Sequence, residues 1–335
     1  MKVCIIGVGA IGGFIGARLA AAGQAQVSAL ARGATLAALH AHGWRLQMGG
    51  RLTQAAAVAS ERAQDIGVQD LVVIAVKAPA LATVAASIAP LLGPQTVVLP
   101  AMNGVPWWFC DGLPGFGGQP LHSIDPEGAI GAAIPTAQVL GCVVHAGVSV
   151  SEPGVVQHKM GRGLIVGEPA GGTSARAQAV VDLLAQAGFD ATQSADVRHD
   201  IWFKLWGNLV MNPVSAITGA TLDRVLADPL VRGFCSAAMQ EAAAIGARIG
   251  CRIEQSPEDR HQVTARLGAF KTSMLQDAEA GRPIELDAIV GAVHEIGLLL
   301  GQPMPNISAL LGLARLHAQV HGLVHERVPA SGGER

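Results

Sequence analysis

The chain has 335 residues, enough for about two domains at ~150 residues each. Half of the residues are hydrophobic and only 14% are charged, which excludes extended disorder as the main state. Lys plus Arg number 23 against 25 Asp plus Glu, and a net charge of −2 gives no general attraction to nucleic acid or to an anionic membrane. Seven Phe, five Trp and no Tyr also disfavour a base-stacking surface.

Two features mimic targeting segments. Met1-Lys2 followed by apolar Val3 to Ala17 resembles a short secretory signal, but Gly7, Gly9, Gly12 and Gly13 interrupt the apolar helix it would need. Ala78 to Cys110 carries no charge, yet Pro79, Pro90, Pro94, Pro100 and Pro106 break it. A membrane-spanning helix needs ~20 unbroken apolar residues. The chain is therefore expected in the cytoplasm, with no membrane or nucleic-acid partner. Its five cysteines, Cys4, Cys110, Cys142, Cys235 and Cys251, form no C-x-x-C pair, so neither a zinc site nor a disulfide framework is expected, and no metal.

In chain order, Lys2 to Ile6 predicts a strand, Phe14 to Ala22 a helix closed by Gly23, and Gln26 to Ala31 a second strand. This is a βαβ unit. Asp70 to Val76 reads as a parallel strand buried on both faces, Pro79 to Leu92 as a helix, and Thr96 to Ala101 as another buried strand. The section 105–135 is rich in Gly and Pro and irregular. Val139 to Val150, Val155 to Lys159 and Gly163 to Val166 predict shorter antiparallel strands, and Ser174 to Ala187 a helix. Beyond Val197 strand signals nearly vanish. Arg198–Met211, Asp228–Ile249, Pro257–Ala278, Ile284–Leu300 and Ser308–His321 read as helices. The reading is α/β: a doubly wound, Rossmann-type domain over 1–190, an all-helical domain over 191–325 and a disordered tail over 326–335.

Gly7-Val8-Gly9-Ala10-Ile11-Gly12 lies between a strand and a helix, the context a dinucleotide-binding fingerprint requires. Its glycines allow a tight turn, approach of a pyrophosphate and close helix–strand packing. The helix start offers free N–H groups to phosphate. About 20 residues on, where an NAD binder carries an acid, stands Ala31-Arg32-Gly33. Arg32 suits a 2′-phosphate, so NADPH is expected. Lys77 and Asn103 end the next two strands, at the edge where ligands bind in such sheets.

Two further constellations lie in the helical part. Lys204, Asn208 and Asn212 recur at i, i+4 and i+8 and share one face of an otherwise apolar helix. Desolvation there lowers a lysine's pKa and suits it to proton donation. The alternative is a polar outer stripe of an amphipathic helix. Thr272-Ser273-Met274-Leu275-Gln276-Asp277 precedes Gly281-Arg282-Pro283-Ile284-Glu285-Leu286-Asp287, where Pro283 in a first helical turn would leave Glu285 and Asp287 complementing the dipole.

With these motifs in this order, the chain resembles the ketopantoate reductase family from Met1 to about Leu323. The resemblance implies pantothenate biosynthesis and reduction of 2-dehydropantoate, or a related 2-oxo acid, by NADPH. It implies Lys204 as proton donor and Asn208, Asn212 and Ser273 as substrate ligands. Glu285 would touch the cofactor and orient Lys204. Arg32, Lys77 and Asn103 would contact NADPH, as would Gly147 in a His145-Ala146-Gly147 turn. Leu222 and Phe270 stand where some members carry polar residues, and the segment from Pro106 to Ile134 exceeds the smaller members. That segment, with Trp107 and Trp108, is expected to cover the active-site cleft or to build a subunit contact. The only protein partner suggested is a second copy, in a homodimer. Two alternatives are an NADP-dependent β-hydroxyacid dehydrogenase and a non-catalytic NADP(H)-binding protein.

Overall fold

The computed structural model describes residues 1–324, so the tail expected over 326–335 lies outside the described residues. Contacts divide the chain into two units, Met1–Lys204 and Leu205 onward. The border expected at residue 190 thus moves into a helix. The reason is the strand Asp190–Ser194, which pairs in parallel with Val155–Gly167 and so belongs to the first unit.

The first unit opens with β1 (Lys2–Ile6), α1 (Ala10–Ala22), β2 (Gln26–Leu30) and α2 (Gly33–His42). A hairpin of β3 (Trp44–Met48) and β4 (Arg51–Ala55) leads to β5 (Val58–Ser60) and the short α3 (Ala63–Ile66). Then come β6 (Leu71–Ile74), α4 (Leu81–Ala85), β7 (Val97–Pro100) and α5 (Ala129–Ala133). The unit closes with β8 (Gly141–Glu152), β9 (Val155–Gly167), α6 (Ala175–Gln186), β10 (Asp190–Ser194) and the start of α7 (Val197–Thr218). Strands β5-β2-β1-β6-β7 form a parallel sheet in that order. Every side chain of β6 is fully buried, as its uninterrupted apolar run requires.

The second sheet is β10-β9-β3-β4, with β8 antiparallel on β9. Beta β9 is long enough to hold two partners in succession, β3 along Val155–Gln157 and β10 along Gly163–Gly167. The three short strands expected here are thus one long hairpin. The expected turn at His145–Gly147 is a bulged part of β8, where Gly147 faces Met160.

Helix α1 is packed between the sheets through its glycines. A Cβ at Gly12 would stand 2.1 Å from the Gly7 carbonyl oxygen, and one at Gly16 would stand 2.3 Å from the Trp44 ring. Small residues on both sides let one helix serve two sheets, and Trp44, Phe14 and Ile15 are fully buried around it.

The expected helix 79–92 is instead two 3₁₀ turns flanking α4. Pro79 and Pro90 withhold N–H groups, and Ser87 hydrogen-bonds back to Thr83. Trp107 and Trp108 are core residues. Trp107 donates to the Ile134 carbonyl at 3.1 Å, while Phe109 stacks on Trp202 with centroids 5.9 Å apart. Neither indole is available to a second chain, which corrects the subunit-contact expectation for these side chains: the segment carries enough apolar area to build its own core.

Helix α7 runs past Pro213 to Thr218, and its residues from Leu205 belong to the second unit. There follow α8 (Leu222–Ala227), α9 (Pro229–Arg248), α10 (Pro257–Ala265), α11 (Ser273–Glu279), α12 (Ala292–Leu299) and α13 (Pro305–Val320). The single helix expected over 257–278 is broken at Gly268, whose φ is +62°, and α11 restarts on Thr272, whose hydroxyl accepts from Leu275 N–H. Helical winding after Pro283 begins only at Leu286, as a π turn over Asp287–Gly291 that runs into α12. No described helix is long and apolar enough to cross a membrane.

Candidate active site

The register of the parallel sheet brings four chain segments to one edge. Ile6 aligns with Leu30 on one side and Ile74 on the other, and Ile74 aligns with Pro100. Gly7, Arg32, Lys77 and Asn103 therefore all follow the carboxyl ends of neighbouring strands. Because β1 has β2 on one flank and β6 on the other, its end is the topological switch point where such sheets bind ligands.

The glycine loop is shaped for a phosphate. Gly7 has φ +86°, and a Cβ there would meet Val76 at 2.6 Å. Gly12 is pressed against Gly7. Gly9 differs: a Cβ there would meet nothing within 4 Å. Gly9 is also the N-cap of α1 and offers no side-chain cap, so no side chain of its own covers the first turn that Ala10 and Ile11 begin. Val8 fills the turn between the two glycines. These residues fit the pyrophosphate of a dinucleotide. Arg32 is exposed at the start of α2, and Lys77 is half-buried where β6 gives way to a 3₁₀ turn.

Lys204 joins this edge from the far end of the unit. Its Nζ donates to Asn103 Oδ1 at 2.8 Å. Asn103 is half-buried, and Gly104 behind it adopts φ +86° to turn the chain. The fully buried Cys142 lies close enough to feel the Lys204 charge, but burial pushes its thiol up to about 12, so it stays neutral. All five cysteines are buried and none is in a disulfide.

In the second unit, Asn208 is half-buried and Asn212 buried on α7. With Lys204 also half-buried, this is no solvated outer stripe. Ser273 is exposed at the first turn of α11. Asp277 accepts from Arg282 Nε at 3.0 Å and closes the turn at Gly281, an ion pair the motif reading missed although both residues stood in it. Glu285 follows, half-buried, directly before the helical winding. Leu222 N–H donates to the Phe270 carbonyl at 3.0 Å, so the two departures from the family pattern adjoin. Gly147 stands in the second sheet.

Two family models match the chain: "Ketopantoate reductase PanE/ApbA" over residues 3–171 and "Ketopantoate reductase PanE/ApbA C terminal" over 196–318. The chain belongs to the ketopantoate reductase family. A 2-dehydropantoate 2-reductase of Mesorhizobium japonicum is 44% identical over 323 residues, 96% of this chain and 99% of that one. A relative of the same name from Archaeoglobus fulgidus is 29% identical over 94% of this chain and 97% of its own. A crystal structure from Ralstonia solanacearum MolK2 shares 57% identity with a TM-score of 0.93, covering 96% of this chain and 99% of the other. A D-mandelate dehydrogenase with NADH and anilino(oxo)acetate shares the fold alone, at 20% identity and a TM-score of 0.81 over 97% of this chain and 100% of its own. Ketopantoate reductase family membership makes this chain a nicotinamide-dependent oxidoreductase acting on CH–OH.

Proposed function

We propose that the chain reduces 2-dehydropantoate, or a closely related 2-oxo acid, to the 2-hydroxy acid with NADPH, in the cytoplasm and as a homodimer. The observation that carries this reading is the Lys204–Asn103 hydrogen bond at the carboxyl edge of the parallel sheet. In this reading the loop Gly7 to Gly12 holds the pyrophosphate, Arg32 the 2′-phosphate, and Lys77, Asn103, Gly147 and Glu285 make further contacts to the cofactor. Bound there, the nicotinamide supplies a hydride to the substrate carbonyl carbon.

The chain's own work is the proton. Lys204 Nζ donates it to the carbonyl oxygen, which becomes the hydroxyl, and Asn103 Oδ1 orients the ammonium. Positioned acids of this kind accelerate reactions ~10²–10⁴-fold. Asn208, Asn212 and Ser273 hold the substrate, and Glu285 orients Lys204. Support for Lys204 over a structural lysine comes from its half-buried setting beside a neutral acceptor.

A panel of 2-oxo acids assayed with NADPH and with NADH tests the reading. Turnover is expected with NADPH and 2-dehydropantoate or a near analogue. Reaction only with 3-hydroxy acids and NADP would favour the β-hydroxyacid dehydrogenase alternative. Cofactor binding without turnover on any oxo acid would leave a binding protein.

A further inference from the structure

Arg260 lies outside every motif discussed so far. A capping box fixes the start of α10: Ser256 Oγ accepts from Asp259 N–H at 3.2 Å, and the Asp259 carboxylate accepts from Ser256 N–H at 3.1 Å. The next residue is Arg260, half-buried, with its guanidinium along Gly207 of α7. A methyl group added at Gly207 would stand 2.8 Å from Nε and 3.0 Å from Nη2. The guanidinium thus occupies the volume that a side chain at position 207 would fill. Gly207 is three residues after Lys204 and one before Asn208, and residues three apart are neighbours on a helix surface.

Charge then decides what such a group is for. A 2-oxo acid carries a carboxylate beside its carbonyl. Asn208, Asn212 and Ser273 are neutral, and Glu285 would repel an anion. A guanidinium presents paired N–H donors that match a carboxylate, which a single ammonium does not. Burial also pulls Arg260 below the usual guanidinium pKa, because leaving water disfavours the charged form.

We propose that Arg260 binds the carboxylate of the 2-oxo acid, and that position 207 is glycine because the guanidinium needs that space beside α7. The proposal rests on the function proposed above. It deepens that function by assigning the charged half of the substrate to a residue of its own.

The test compares a 2-oxo acid with its neutral methyl ester, in the full-length protein with NADPH. Arg260→Met is expected to raise KM for the acid about 10–100-fold, the worth of a hydrogen-bonded charge pair. Its kcat should fall far less, and its NADPH Kd and its KM for the ester should not change. Arg260→Lys should fall between, and Gly207→Ala, which pushes the guanidinium aside without removing it, should show the same acid-selective rise. The last two carry the test if Arg260→Met does not fold. An unchanged KM for the acid in the folded variants, or an equal rise for acid and ester, overturns the proposal and leaves Arg260 as packing. A wild-type protein that reduces neither compound overturns the functional reading itself, and this proposal with it.

Discussion

Lys204 donates to the side-chain carbonyl of Asn103 at 2.8 Å, across 101 residues of sequence. The acceptor is an amide oxygen and not a carboxylate. That bond fixes the direction in which the ammonium points. The bond joins the strand-end loop after β7 to the first turns of α7.

Lys204→Ala is therefore expected to lower kcat by ~10²–10⁴ while NADPH affinity, measured by fluorescence titration, stays nearly unchanged. In the unaltered protein kcat should fall on the alkaline side as the lysine loses its proton. That limb should be missing in the variant. Normal turnover by a folded Lys204→Ala protein would sink the assignment.

The second and third glycines of the fingerprint should separate fold from binding. Gly12→Ala forces a methyl group to within 2.1 Å of the Gly7 carbonyl oxygen, so the backbone must move. A loss of ~1–3 kcal/mol of stability is expected, typical of overpacking. Gly9→Ala meets open space and should melt like the parent, yet bind NADPH more weakly because the methyl group stands where phosphate would lie. Thermal melts and cofactor titration of the pair check both statements; equal melting points would refute the packing argument.

Arg32 is exposed, with no packing to lose. Arg32→Asp should cut kcat/KM with NADPH about 10–100-fold by removing a charge-assisted contact to the 2′-phosphate, and should leave NADH turnover equal or better. Equal kcat/KM for the two cofactors in the unaltered protein would show that Arg32 is not the selector.

Stability should fall in acid partly through Glu168. Its carboxylate accepts from Arg176 Nε at 2.7 Å and from the Ser174 hydroxyl at 2.5 Å. The Arg176 guanidinium holds the carboxyl below the usual carboxylate range. A depressed folded-state pKa means the unfolded chain binds more protons, so the stabilisation is present above the unfolded value near ~4.3 and is lost as pH drops through the folded one. Glu168→Gln should cost ~1–2 kcal/mol at neutral pH, and the difference should shrink in denaturant melts toward pH 3. A difference that stays constant with pH would mean the loss is one of packing.

The first sheet was readable because its signals are local: DLVVIAV is apolar without a break, and the glycine loop lies between a strand and a helix. The second sheet was not. Trp44–Met48 and Arg51–Ala55 mix Arg, Gln and Thr among their apolar residues, and the strand that completes the sheet beside them is over 100 residues away. A usable signal was present in Gly49-Gly50, both at positive φ between paired Met48 and Arg51, a turn that favours hairpins. The lysine and the asparagines of α7 were legible as a spacing. Asn103 as the lysine's partner was not, since nothing local links a loop and a helix so far apart in sequence. Trp107 and Trp108 misled for the opposite reason. A Gly- and Pro-rich context suggests surface, but Phe109, Trp202 and Ile134 give the indoles a core of their own.

Asn103 is followed by glycine, and that pair has a shelf life. With no side chain at Gly104 to hinder it, the backbone nitrogen can close on the asparagine side chain, expelling ammonia and leaving a ring that water opens to aspartate or its β-linked isomer. The lysine's hydrogen bond restrains the amide while the protein is intact. Once the ring has opened, an anion replaces the neutral acceptor at the same place. Lys204 would then hold its proton in an ion pair, and the β-linked product would carry one extra backbone carbon through the turn. A stored preparation should accordingly lose turnover through a mass change of a single dalton at one residue, with every helix and strand still in place.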